Sequence, residues 1–250
     1  MSDKDTTHFG FKEVKKDAKA GLVADVFHSV AARYDLMNDL MSGGIHRIWK
    51  RFTIELSGVR KGNAVLDIAG GTGDLAARFA ELVGCEGRVV LADINESMLQ
   101  VGRDKLLDTG RLGNIEFVQA DAQFLPFPDD SFDCVTIAFG LRNVTDKDLA
   151  LRSILRVLKP GGQLVVLEFS QPRHFPFKQL YWFYFKAILP TVGKLVSKDP
   201  RAYTYLPESV KAFPYGAAFE GELERAGLIP KRTRTVTFGI ATIYQARKEA

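Results

Sequence analysis

AVLDIAGGTGD, residues 64–74, is the stretch whose reading decides the fold of this 250-residue chain. Val65, Leu66 and Ile68 form a β-prone apolar run, which ends in Gly70, Gly71, Thr72 and Gly73 before a helical pattern opens at Asp74. The spacing predicts a strand, a tight turn and a helix. Because glycine has no Cβ, backbone N–H groups of Gly71 and Gly73 at such a turn can approach a ligand closely, beside the positive end of the following helix.

Carboxylates narrow the choice of ligand. Gly71-x-Gly73-x-x-Ala76 satisfies a loose dinucleotide fingerprint, and Asp93 stands twenty residues beyond Gly73, where a ribose-binding acid is expected. Asp67 and Asp74, however, would place negative charge against a pyrophosphate, whereas they suit a ligand carrying ammonium and sulfonium groups. S-Adenosylmethionine is such a ligand, with Asp93 on its ribose. The alternatives left open are an NAD(P) oxidoreductase and an ordinary α/β turn with structural glycines.

Outward from this turn, the chain alternates strands and helices. Residues 88–93 predict a second strand, Asn95 an N-cap for a helix over 96–107, and 114–119 a third strand that ends at Ala120, Asp121 and Ala122, where a carboxylate and backbone can meet an adenine edge. Residues 132–139 predict strand four. Gly140, Leu141, Arg142 and Asn143 break that run, and Thr145 with Asp148 resembles a capping box for the next helix. Lys159-Pro160-Gly161-Gly162 stops that helix, 163–169 gives strand five, and a helix over 219–226 precedes closing strands at 228–236 and 238–246. This order implies a mostly parallel sheet with helices on both faces, whose ligands bind at the carboxyl ends of the strands. Asp67, the glycines, Asp93, Asp121, Arg142 and Asn143 all fall there.

Two segments lie outside the repeat. Residues 1–13 read as a flexible arm, 14–57 as a helical cover with an amphipathic stripe through Leu22, Val26 and Val30, and 58–250 as the main domain. Tyr34 and Asn38 share one helical face, and His46 and Trp49 another. The second exceptional segment, an insertion at about 171–212, crowds Phe175, Phe177, Tyr181, Trp182, Phe183, Tyr184 and Phe185 into a span interrupted by Lys186 and ended by Pro190. It reads as an apolar lid, a partner surface or a membrane contact, against the plainer alternative of a core helix.

Composition excludes several classes. The net charge of +4, from 34 Lys and Arg against 30 Asp and Glu, is spread along the chain, unlike the dense basic patches of nucleic-acid binders. Cys85 and Cys134 form no CxxC pair, so neither a disulfide framework nor a metal site is indicated, and a reduced cytoplasmic compartment is expected. The N-terminus lacks the pattern of a signal peptide, and no uncharged apolar run reaches the ~20 residues that span a bilayer. An amino-methylating enzyme of nucleic acid would carry an Asn/Asp-Pro-Pro-aromatic loop after strand four, where this chain has Ala138-Phe139-Gly140-Leu141. A cytosine-C5 enzyme needs a loop cysteine, and Cys134 lies within a strand. The expected methyl acceptor is therefore small and apolar.

Longer motifs sharpen this picture. YDLMNDLMSGGIHRIW (34–49) and RVLKPGGQLVVLEFS (156–170), with AGGTGDL, LADINESML and FGLRNVTDK between them, resemble the ubiquinone/menaquinone biosynthesis C-methyltransferase family over about residues 7–185. The resemblance implies a Rossmann-like class I fold, seven strands, N-terminal helices and an aromatic helical insertion over the site. It implies methyl transfer from S-adenosylmethionine to a ring carbon of a polyprenylated quinol, a methoxy-benzoquinol or demethylmenaquinol, without a metal. Thr72, Asp93, Asp121 and Ala122 match its cofactor contacts, while Ala138 replaces a serine found in some relatives. Arg142 is the expected catalytic residue, acting through a bound water or by stabilising a phenolate, with Asn143 and Tyr34 orienting the ring hydroxyl. The expected setting is cytoplasmic and peripheral to the inner face of a bacterial membrane, with other quinone-biosynthesis enzymes and a second copy of the chain as partners and no nucleic acid. Competing readings are another small acceptor and a catalytically silent organiser of a quinone-synthesis complex.

Overall fold

The apolar run at 64–68 does form an interior strand of a sheet. A computed structural model of the chain describes residues 6–31, 34–110, 113–172, 174–184, 187 and 201–250. Its helices are α1 (Lys16–Val30), α2 (Tyr34–Ser42), α3 (Ile45–Ser57), α4 (Asp74–Val83), α5 (Glu96–Asp108), α6 (Lys147–Val157), α7 (Phe177–Phe183), α8 (Arg201–Ala212) and α9 (Ala217–Arg225). The strands are β1 (Thr6–Phe9), β2 (Lys12–Lys15), β3 (Ala64–Ile68), β4 (Arg88–Asp93), β5 (Ile115–Gln119), β6 (Phe132–Ala138), β7 (Leu158–Phe169), β8 (Ile229–Val236) and β9 (Ala241–Arg247).

The main sheet has seven strands in the order β5-β4-β3-β6-β7-β9-β8, with β9 antiparallel to both neighbours and the other pairings parallel. This is the mostly parallel, Rossmann-like architecture expected, with the strand order reversing between β3 and β6. Side chains of successive strand residues point to opposite faces. Leu66, Ile68, Val90, Ile137 and Leu164 pack with Leu151, Ile154 and Phe219 from α6 and α9, while Val65, Val89, Leu91 and Leu167 pack with Trp49, Phe79 and Val83 from α3 and α4. Asp67 is two residues from Val65, so the pleat aims it at the face that α3 and α4 cover.

Boundaries differ where long-range contacts intervene. The expected flexible arm is, over residues 6–15, a β-hairpin of β1 and β2. It is fastened by the Phe9 ring stacked 4.4 Å from Tyr205, by Thr7 Oγ1 donating to the Thr145 carbonyl (3.3 Å) and by the Phe11 N–H donating to Glu208 (3.1 Å), all from distant sequence. The N-cap of α6 is Asp146, which accepts from the Leu149 N–H (3.1 Å), in place of Thr145. β7 starts at Leu158 and so includes the Lys-Pro-Gly-Gly turn, and β9 starts only after a 3-10 turn at Thr237–Gly239. That turn holds Phe238 flat against Phe177, centroids 3.8 Å apart. Phe185, Lys186 and Pro190 of the aromatic insertion lie outside the described residues.

Candidate active site

The glycine turn is shaped by contacts on both sides. Gly71 and Gly73 have φ of +55° and +80°, and a Cβ on Gly73 would meet Leu106 at 2.8 Å, so glycine is required by conformation and by packing. α5 approaches so closely that a Cβ on Gly102 would stand 2.8 Å from the Gly71 carbonyl. Asp93 pins the turn, its carboxylate accepting from the N–H groups of Gly71 (3.0 Å) and Asn95 (2.9 Å). Asn95 in turn caps α5, accepting from the N–H groups of Ser97 and Met98.

Strain gathers at the same place. Among the described residues, five that are not glycine have positive φ, and four of them, Ala69, Phe139, Thr237 and Phe238, line one cavity of about 680 Å³. Ala69 and Phe139 follow β3 and β6, where the strand order reverses. A smaller cavity of about 100 Å³ adjoins it, walled by Asp93, Asn95, Asp121 and Ala122 and roofed by Val23 and Ala24 of α1. Phe27, Tyr34, Ala69, Gly71, Ala138 and Phe139 face both cavities and form the wall they share.

Electrostatics distinguish the acids that sequence reading had grouped. Asp67 is 1% exposed, and Thr136 Oγ1 donates to its Oδ1 (2.6 Å) while Oδ2 has no partner. Burial pushes its carboxyl up to about 7, and pushes Asp93 up to about 6 despite the backbone N–H groups that hold it. Asp74 behaves oppositely: against the effect of burial, Lys50 (2.7 Å) and Lys105 (2.7 Å) pull it well below the usual carboxylate range. Thr72 also turns inward, donating to Asp35 of α2 (2.7 Å), which Lys105 pairs as well (2.6 Å). Asp121 accepts from the backbone and side chain of Gln123.

Apolar residues dominate the larger cavity, including Met37, Met41, Phe169, Phe177, Leu180, Tyr181, Leu206 and Ile240. Arg142, 6% exposed at its side chain, is fixed in the wall by Glu168, which accepts from Arg142 Nη1 (2.9 Å) and from its backbone N–H (3.2 Å). Nη1 also donates to the Phe139 carbonyl, and the guanidinium lies 5.3 Å from the Phe169 ring centroid. Its Nε is buried without a partner. Asn143 faces the smaller cavity, and its amide oxygen accepts from the Tyr205 hydroxyl (2.9 Å), which lines the larger one. Arg142 and Tyr34 therefore share a cavity that Asn143 reaches only through Tyr205. His46 and Trp49, both nearly buried, also line it. The Ser42 hydroxyl donates to the Asn38 carbonyl (2.7 Å), so it accepts from His46 Nδ1 (2.7 Å).

The model of the ubiE/COQ5 methyltransferase family matches residues 12–248. The chain belongs to that family. It is 61% identical over 248 residues, 99% of this chain and 100% of the relative, to a Teredinibacter turnerae protein named ubiquinone/menaquinone biosynthesis C-methyltransferase UbiE. It is 60% identical, at the same coverage, to a protein of that name from Cellvibrio japonicus. Solved structures share the fold at lower identity. A SAM-dependent methyltransferase from Aquifex aeolicus has a TM-score of 0.58 at 20% identity, covering 79% of this chain and 88% of its own. The [4+2]-cyclase SpnF reaches 0.67 at 17% identity, over 91% and 95%.

For this methyltransferase the unpartnered Asp67 Oδ2 and the positive-φ glycines fit S-adenosylmethionine, since a cationic ligand would relieve the buried carboxylate. Glu168, Lys50, Lys105 and Tyr205 escaped the sequence reading. Glu168 alone had left a signal, an acid set within the apolar run of residues 164–169; nothing local marks the others.

Proposed function

We propose that this methyltransferase carries the methyl group of S-adenosylmethionine to a ring carbon of a polyprenylated quinol, in keeping with relatives named as C-methyltransferases of ubiquinone and menaquinone biosynthesis. The observation that supports the acceptor is the apolar cavity of about 680 Å³ joined by a shared wall to the smaller, acid-lined one. Asp67 and the glycine turn would hold the methionyl part, Asp93 the ribose, and Asp121 with Ala122 the adenine. Bound there, S-adenosylmethionine supplies a methyl group on a positive sulfur, already a good leaving group. What remains for the protein is to align the acceptor and exclude water.

In this reading the Arg142 guanidinium stabilises the phenolate, whose charge flows to the attacking ring carbon. Glu168 holds Arg142 in place. Tyr34, facing both cavities, orients the ring hydroxyl at their shared wall, and Asn143 acts as a positioning residue through Tyr205. The acceptor cavity opens among exposed apolar side chains, Leu40, Ile45, Leu180 and Phe238 at its rim, with Leu36, Ile48 and Phe183 exposed on the same helices. No helix among the described residues is long and apolar enough to cross a membrane. The rim supports a peripheral foothold on a bilayer through which an isoprenoid tail enters.

Incubation with labelled S-adenosylmethionine and, separately, a reduced demethylmenaquinol and a methoxy-benzoquinol, followed by mass spectrometry, tests the reaction. Label on a ring carbon of either quinol is the expected result, and its absence from both overturns the reading. Flotation with vesicles containing anionic lipid tests the foothold: the protein rises with them, and a Leu180→Ser, Phe238→Ser double variant stays below.

A further inference from the structure

α3 is tied to the turn between β8 and β9 and, at its C-terminal end, to β7. Trp49 Nε1 donates to Thr237 Oγ1 (2.8 Å), and the Leu56 carbonyl accepts from Gln163 Nε2 (2.9 Å). Lys50 is carried on this anchored helix next to Trp49, with its side chain 17% exposed. Its ammonium group donates to Asp74 Oδ2 (2.7 Å), and it lines the larger cavity together with Asp67, Gly70, Gly71 and Thr72. An ammonium group has three N–H donors, so two remain for a ligand. Arg142, also a cation of this wall among the described residues, stands in the turn after β6 against Glu168 and Phe169 rather than on a helix over the glycine turn.

The donor molecule presents charges of both signs at its amino-acid end. Asp67 Oδ2, buried without a partner, matches the ammonium group; a carboxylate beside the same turn needs a cation. Building on the S-adenosylmethionine reading, we propose that Lys50 binds the methionyl carboxylate, so that Asp67 and Lys50 read the two charged ends of the amino-acid group. Lys50 keeps its contact to Asp74 while doing so. Asp74 thus serves the ligand indirectly, by aiming Lys50, rather than by facing the ammonium itself.

Calorimetric titration of the full chain with S-adenosylmethionine and with its decarboxylated analogue isolates the carboxylate. The native protein binds the carboxylated ligand about tenfold or more the tighter, the usual scale for a charge-assisted hydrogen bond. Lys50→Met brings the ratio close to one, mainly by weakening the carboxylated ligand. Lys105→Met is the control: it also strips a partner from Asp74, but Lys105 does not line the cavity, so both ligands weaken alike and the ratio stays. Equal affinities in the native protein, or a ratio that survives Lys50→Met, overturn the proposal. If Lys50→Met binds neither ligand, Lys50→Arg decides: a regained ratio supports the assignment and a ratio of one defeats it. Failure of the native protein to bind either ligand would instead remove the S-adenosylmethionine reading, and the Lys50 assignment with it.

Discussion

The smaller cavity draws its acids, Asp93 and Asp121, and its Asn95 cap from one continuous β3-to-β5 segment and the loop after it, with α1, Tyr34 of α2 and the end of β6 with the turn after it added from elsewhere. The larger cavity takes Met37 from α2, Trp49 from α3, Phe169 from β7, Tyr181 from α7 and Tyr205 from α8. One region is built by local chain geometry, the other by distant elements meeting. The difference teaches where each should be fragile: the donor side in its affinity, the acceptor side in its packing.

The most severe way to break the acceptor side is Glu168→Gln. It leaves the Arg142 guanidinium buried without its counter-ion, a change that costs roughly 3–5 kcal/mol in comparable pairs. Thermal melting should show a large fall in Tm and turnover should collapse, while the donor dissociation constant of the folded fraction stays near native. A matching fall in donor affinity would mean that the two regions are not separable.

Asp67→Asn strikes the donor side. Affinity for S-adenosylmethionine should fall about a hundredfold, read by calorimetry, because the amide offers no charge to a cation. Tm should hold or rise, since a buried carboxyl with an orphan oxygen is removed.

A smaller effect sharpens the contrast through pH. The Asp67 carboxyl stands at about 7 when folded, so it contributes stability at low pH that is lost as pH rises from roughly 4, its unfolded value, through about 7. Asp93 adds the same trend up to about 6. Asp74, held low by Lys50 and Lys105 against burial, contributes in the opposite sense, with stability lost as pH falls. A cation binds the ionised Asp67, so donor affinity should rise about fivefold between pH 6 and 7 and about twofold more above, with a proton release read as a binding heat that differs between calorimetry buffers. A flat profile in the native protein would count against Asp67 as the cation's partner.

The mildest test is at the rim. Trp182→Ser with Phe183→Ser should raise KM several-fold for long-tailed quinols and spare short-tailed ones, since Phe183 is exposed and Trp182 packs beside Met37 and Tyr181. An equal rise for both would turn this segment from tail contact into a plain structural element.

What could be read from residues alone followed the range of the forces involved. The strand at 64–68, the positive-φ turn at Gly71 and Gly73, the Asn95 cap and the helix at Asp74 depend on neighbours within about four residues, and a linear pattern carries that information. Asp74 shows the limit. Its charge and position suggested a ligand's cation, but Lys50 and Lys105, from α3 and α5, had already claimed both oxygens. The hairpin at residues 6–15 shows it again, held by Tyr205, Thr145 and Glu208. By itself the sequence determined the sheet, the glycine turn and, through its motifs, the family. Only the tertiary structure decided which carboxylate stays unpaired, which one the lysines claim and how large the apolar cavity is, because ion pairing, desolvation and enclosed volume depend on distances between residues that the chain keeps far apart.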